Sequence, residues 1–110
     1  MTEELDKLNR AADLLLDMEA EMRRLGMWDS IPPSEEALAS TLPFCCDTLS
    51  FPQWLQFVFQ KRMKRLIEAN APLPSQCGIA PMAEEWFAGS DPGLVHLIRL
   101  LREFDELMSD

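Results

Sequence analysis

In three long segments of this 110-residue chain, apolar residues return at helical spacing, in the first and last as a strict alternation of three and four. No segment shows the alternate-residue pattern of a half-buried strand. Such a period commits the chain to helices whose apolar stripes must cover one another. The first stripe is Leu8, Ala11, Leu15, Met18, Met22 and Leu25. The second is Leu55, Val58, Phe59, Met63, Leu66 and Ile67, and the third is Leu94, Leu97, Leu101, Phe104 and Met108. Ile98 widens the third stripe on one side, and Leu100 and Leu107 widen it on the other. A face that broad calls for burial against more than one element of this chain, or against a second copy of it.

End signals bracket these helices. Thr2 with Glu3 and Glu4 suits the start of a helix over residues 3–25, and Gly26 after a basic last turn suits its end. Met27 to Pro33 reads as a loop with apolar anchors, after which Ser34 caps a short helix in SEEALAS. Residues 41–50 have no helical period and form a connection that lies on the core through Leu42 and Phe44. A second long helix runs over 51–69, with Ser50 and Gln53 as a capping box and Pro52 tolerated in the first turn. Residues 71–81 hold three prolines and a glycine and form an irregular loop. Met82 to Ala88 makes another short helix, ended by Gly89. Asp91 and Pro92 open the last helix. The expected architecture is all-α: one domain over 1–110, a compact bundle of three long helices and two short ones.

Charge narrows the function. The formal net charge is −9, which argues against direct nucleic-acid binding as the main task. No apolar run approaches the roughly 20 residues that span a bilayer, so no membrane association is expected. The acidic, helix-patterned N-terminus is not that of a signal peptide, and three cysteines do not make a disulfide framework. A cytoplasmic setting follows as the expectation.

The stretch PFCCDTLSFPQWL, residues 43–55, most invites a catalytic reading. Yet Asp47 beside Cys45 and Cys46 raises rather than lowers a thiol pKa, and no C-x-x-C spacing is present. Asp47 and Thr48 are better placed to bond backbone groups of the turn. His96, the only histidine, falls on the polar face of the last helix and has no metal-ligand partners in sequence. Glu84 and Glu85 are adjacent, so on a helix they diverge. Neither a cofactor nor a metal is expected. Lys61, Arg62, Lys64 and Arg65 concentrate four of the ten basic residues in five positions, as a solvated face or a docking strip. Asp105 lies inside the third apolar stripe, where a carboxylate needs a cation or hydrogen-bond donors; Arg62 is the candidate partner.

PF-x-x-DT at 43–48, WLQ-x-V at 54–58, Arg62-Met63, Leu73-Pro74 and Ala80-Pro81 together resemble the YqcC-like family of small bacterial proteins. The resemblance implies a compact helical bundle in a bacterial cytoplasm. It also implies a link with a tRNA pseudouridine synthase, beside which the family tends to be encoded, but no active-site residues. Gln60 and Lys61 stand where an aliphatic residue and a proline are expected, turning a kink into a continuous basic strip. The expected function is therefore a non-enzymatic helical interaction module with a protein partner, accessory to tRNA modification. Trp28, Leu73 and Ile79 are its candidate exposed anchors. One alternative is a small ligand-binding protein or enzyme with a pocket around Asp47, Trp54, Glu84 and Glu85, between the second long helix and the following short one. Another is weak RNA binding through Lys61, Lys64 and Arg65.

Overall fold

In a computed structural model, which describes residues 3–75, 77–87 and 92–109, every regular element is helical. The order is α1 (Glu3–Arg24), α2 (Glu35–Leu38), a 3₁₀ turn (Pro43–Cys45), α3 (Phe51–Trp54), a π-helical stretch (Leu55–Gln60), α4 (Lys61–Glu68), α5 (Ile79–Trp86), a second 3₁₀ turn (Pro92–Leu94) and α6 (Val95–Met108). Thr2, Gly89 and Asp91, read above as end signals, lie outside the described residues.

Local chemistry sets most of the boundaries. Gly26 takes φ +74, the Met27 amide bonds the Met22 carbonyl at 2.8 Å, and the Gly26 amide bonds that of Arg23 at 3.1 Å. This is the Schellman termination, in which a left-handed residue lets the chain satisfy the last helical carbonyls. Asn70, at φ 52, ends α4 the same way through Ala71 to Leu66. Ser34 accepts from the Ala37 amide, and Ser50 with Gln53 forms the reciprocal capping box at α3.

Helices α1 and α6 run antiparallel, with the Lys7 ammonium near the Met108 carbonyl at one end and Arg24 reaching the Gly93 carbonyl at the other. Between them Arg10 pairs with Glu103 at 2.8 Å. Helix α4 runs parallel to α1. The core between them is Ala11, Leu14, Leu15, Met18 and Met22 from α1, Leu55, Phe59 and Met63 from the middle rod, and Leu97, Leu100, Leu101, Phe104 and Met108 from α6. Phe59 meets Phe104 edge-on at 5.1 Å.

Three expectations need correction. The second long helix is not uniformly α-helical, since residues 55–60 widen into a π-helix. Inside that stretch Gln56 and Gln60 are buried among the apolar residues. Each leaves the helix to bond another element: Gln56 brackets the backbone N–H and C=O of Asp29 at 2.9 and 2.8 Å, and Gln60 donates to the Leu15 carbonyl at 3.0 Å. The short fifth helix begins at Ile79, not Met82, because Gly78 enters it in the left-handed conformation, φ 64. Finally, the partner of Asp105 is not Arg62. Its carboxylate accepts from the Ile79 amide at 3.0 Å and the Ala80 amide at 2.7 Å. Gly78 has no side chain to cap α5, so a residue of α6 does it instead.

Replacing Asp105 with Ala should therefore destabilise the fold by about 1–2 kcal/mol, the range for losing a helix N-cap. The milder substitution Asp105→Asn should cost less, because its amide oxygen can still accept one of the two bonds. Urea unfolding of the two variants measures this; an Asp105→Ala midpoint equal to that of the parent chain would contradict the capping role.

Candidate functional site

A groove of about 680 Å³ opens between the rod α3–α4 and the two proline-bearing loops that flank it. One wall is the 38–45 segment, with Leu38, Leu42, Pro43, Phe44 and Cys45. The floor is Trp54, Val58, Phe59, Met63 and Leu66, and the other wall is Pro72, Leu73, Pro74, Cys77 and Ile79. Arg62 is exposed at its rim.

The first wall is built from an unusual backbone. Phe44 and Cys45 follow one another at φ 57 and φ 47, a region that residues with a Cβ avoid. Several contacts over-determine this conformation. Cys45 is buried, Phe44 sits edge-on to Trp54 at 4.7 Å, and the Leu49 amide reaches the Cys45 carbonyl at 2.8 Å. Thr48 donates to the Ala37 carbonyl at 2.7 Å and Asp47 accepts from the Ser40 hydroxyl, so both residues tie this wall to the end of α2. Trp54 then relays the wall to the core through Phe59, at 5.7 Å between ring centroids.

Cys77, half-buried in the opposite wall, has its thiol pushed up to about 11. Burial is the larger cause and the nearby Asp105 carboxylate adds to it, with Lys7 acting the other way. That thiol is held protonated at neutral pH and makes a poor nucleophile. Among the described residues no cluster of His, Cys, Asp or Glu is arranged to hold a metal ion.

The groove gathers some of the residues marked out in the sequence and leaves others elsewhere. Trp54 and Leu73 line it. Ile79 also borders it but is 1% exposed, so it belongs to the core and is not an exposed anchor. Trp28 packs half-buried on the core beneath the Arg23 guanidinium, 5.1 Å from the ring centroid. Of Asp47, Trp54, Glu84 and Glu85, the residues of the alternative pocket, only Trp54 borders this groove. Asp47 is spent on Ser40, Glu84 pairs with Arg102 on the outside of α5, and Glu85 is exposed there. The basic strip is likewise divided: Lys64 pairs with Glu19 at 3.5 Å, Lys61 lies over the Phe57 ring, and Arg65 is exposed. Arg62, read above as a partner for Asp105, instead lies at the groove rim. Its position in the RM pair beside the apolar face was the available signal.

Comparison with known proteins places this geometry. The profile of a family described as "DUF446: tRNA pseudouridine synthase C" matches residues 10–107. The chain belongs to the DUF446 family. Escherichia coli YqcC, an uncharacterized protein, is 32% identical over 93 residues, covering 84% of this chain and 85% of its own. Its solution structure superposes with a TM-score of 0.85 at 31% identity, over 94% of this chain and 89% of that one. An uncharacterized Haemophilus influenzae protein is 39% identical over 77 residues, 70% of this chain and 73% of that protein. A Pectobacterium carotovorum protein named tRNA pseudouridine synthase C is also 39% identical, over 70 residues that make up 64% of this chain but only 19% of that protein. The DUF446 chain keeps the YqcC fold, and the motif residues Pro43, Phe44, Trp54, Val58, Arg62, Met63, Leu73 and Pro74 all border one groove.

The Cys77 environment can be tested by alkylation. At pH 8 a thiol of pKa about 11 is only about one part in a thousand thiolate. Mass spectrometry of iodoacetamide-treated protein should show exposed Cys46 modified well before Cys77, with Cys77 labelling still climbing above pH 9. Asp105→Asn should speed Cys77 labelling at fixed pH by removing a negative charge; an unchanged rate would refute that coupling.

Proposed function

We propose that this DUF446 chain is a non-enzymatic interaction module that docks on a tRNA pseudouridine synthase through the groove between α3–α4 and its flanking loops. The observation that carries the reading is the Pectobacterium protein bearing that enzyme's name. There a segment like this one occupies 19% of a much longer chain. Two units present in one chain in one organism are natural candidates to associate as separate chains in another. The groove supplies a surface suited to the purpose, with an apolar floor, proline-stiffened walls and a charged rim.

The acidic body has its own part in the reading. A net charge of −9 repels tRNA phosphates and favours encounter with a basic RNA-modifying enzyme, at a rate that falls as salt rises. The module acts in the cytoplasm, where that enzyme meets its substrate. No helix among the described residues is long and apolar enough to cross a membrane.

Mixing the chain with the pseudouridine synthase of the same organism should give a complex of defined stoichiometry in size-exclusion chromatography with light scattering. Its association rate should fall several-fold between about 50 and 200 mM salt, as expected for steered encounter. Two separate peaks at low salt and tens of micromolar protein would overturn the docking reading.

A further inference from the structure

The groove carries more than a place to bind, because its charge and its openness constrain the occupant. Half of the ten basic residues of this acidic chain are committed: Arg10, Arg23, Arg24, Lys64 and Arg102 each hold a carboxylate. Arg62 is exposed at the groove rim, and among the described residues no carboxylate lies within ion-pair distance of it. Arg65, one helical turn further along α4, is exposed and without such a partner as well. An uncommitted guanidinium beside an apolar floor is complementary to an apolar ligand bearing a carboxylate, which it can clasp through two parallel hydrogen bonds.

The shape favours a chain segment over an engulfed small molecule. The groove is open to solvent rather than enclosed, so a bound chain can enter and leave at its ends. Its walls carry Pro43, Pro72 and Pro74, which limit the ordering cost of binding. Backbone departures also collect here. The successive left-handed residues Phe44 and Cys45 form one wall, and the π-helical stretch places Val58 and Phe59 on the floor. Strain of this kind and π-bulges concentrate at ligand clamps and functional sites.

We infer that the groove receives a short apolar peptide segment of the partner protein, whose Asp or Glu carboxylate pairs with Arg62. This deepens the docking reading above and rests on it for the partner's identity. The peptide chemistry is testable without it. The acidic body of the chain discriminates against segments rich in carboxylates, so the recognised segment carries one acid among apolar residues.

Phage-displayed random peptides panned against the full chain supply the probe, and the most enriched peptide is synthesised and titrated by calorimetry. Enriched sequences should combine aliphatic or aromatic residues with a single Asp or Glu. Arg62→Glu should weaken the titrated peptide about tenfold or more, with Arg62→Lys retaining part of the affinity. Val58→Trp, which fills the floor, should also abolish binding, while circular dichroism and unfolding midpoints report that both variants fold. No enrichment, enriched peptides without a carboxylate, or affinity indifferent to Arg62→Glu would overturn the inference. Two mixed results separate it from the docking reading. A synthase complex that Val58→Trp disrupts but Arg62→Glu leaves untouched sinks this inference alone, whereas Arg62-dependent peptide binding with no synthase complex sinks the docking reading alone.

Discussion

The carboxylate of Asp105 closes on the first two amides of α5, and much of the molecule depends on that clasp. Helix α5 starts from Gly78, which can adopt the left-handed conformation but offers no oxygen to the helix it begins. Ile79 and Ala80 are buried, and the two amides that open α5 find their acceptors in Asp105 rather than in a local cap. Asp105 supplies both acceptors from 25 or more positions away in sequence. In doing so it fixes the start of α5 against α6, close to Cys77 in the groove wall. The same negative charge helps keep the Cys77 thiol protonated. A single acid in an apolar stripe thus serves both scaffold and site.

The opposite wall is held by a different logic. Phe44 and Cys45 adopt a conformation that costs roughly 1–3 kcal/mol per residue. It is maintained by burial of Cys45, by the Phe44–Trp54 ring contact and by the Asp47 and Thr48 bonds to the end of α2. The aromatic series Phe44, Trp54, Phe59 and Phe104 then carries the wall's position into the centre of the bundle. Two walls of independent origin, one set by a long-range cap and the other by local strain, face each other across an apolar floor. That arrangement gives a preformed groove rather than one that must be ordered by its ligand.

What the sequence disclosed follows from the range of the interactions involved. The Schellman end at Gly26, the Ser34 cap and the Ser50–Gln53 box are written in three to six consecutive residues, and each is present. The apolar stripes were legible for the same reason, since a helical period is local. Asp105 was visible as an anomaly, but its partners were not, because backbone amides carry no residue-type signal. Gln56 and Gln60 were hidden more thoroughly: a glutamine in a helix reads as surface, and only the fold reveals that each reaches the backbone of another element. The groove combines residues from three separated segments, so the motif string marked its members without showing that they converge. Asp47, Glu84 and Glu85 drew attention as acids, yet two of them are engaged by Ser40 and Arg102 and none borders the groove.

Charge separates the two tasks a docking module must perform. Long-range attraction depends on the summed field, and with 19 acidic against 10 basic residues that field is strongly negative. Register depends on contacts made after encounter, and there the groove inverts the sign by presenting Arg62 at its rim. A partner selected by both must be basic as a whole and acidic at one point, a combination that few proteins satisfy by chance. Phosphate-rich partners fail the first condition, and most apolar surfaces fail the second. Specificity of this kind needs no catalytic group and no deep cavity, only a cation held at the rim of an apolar floor.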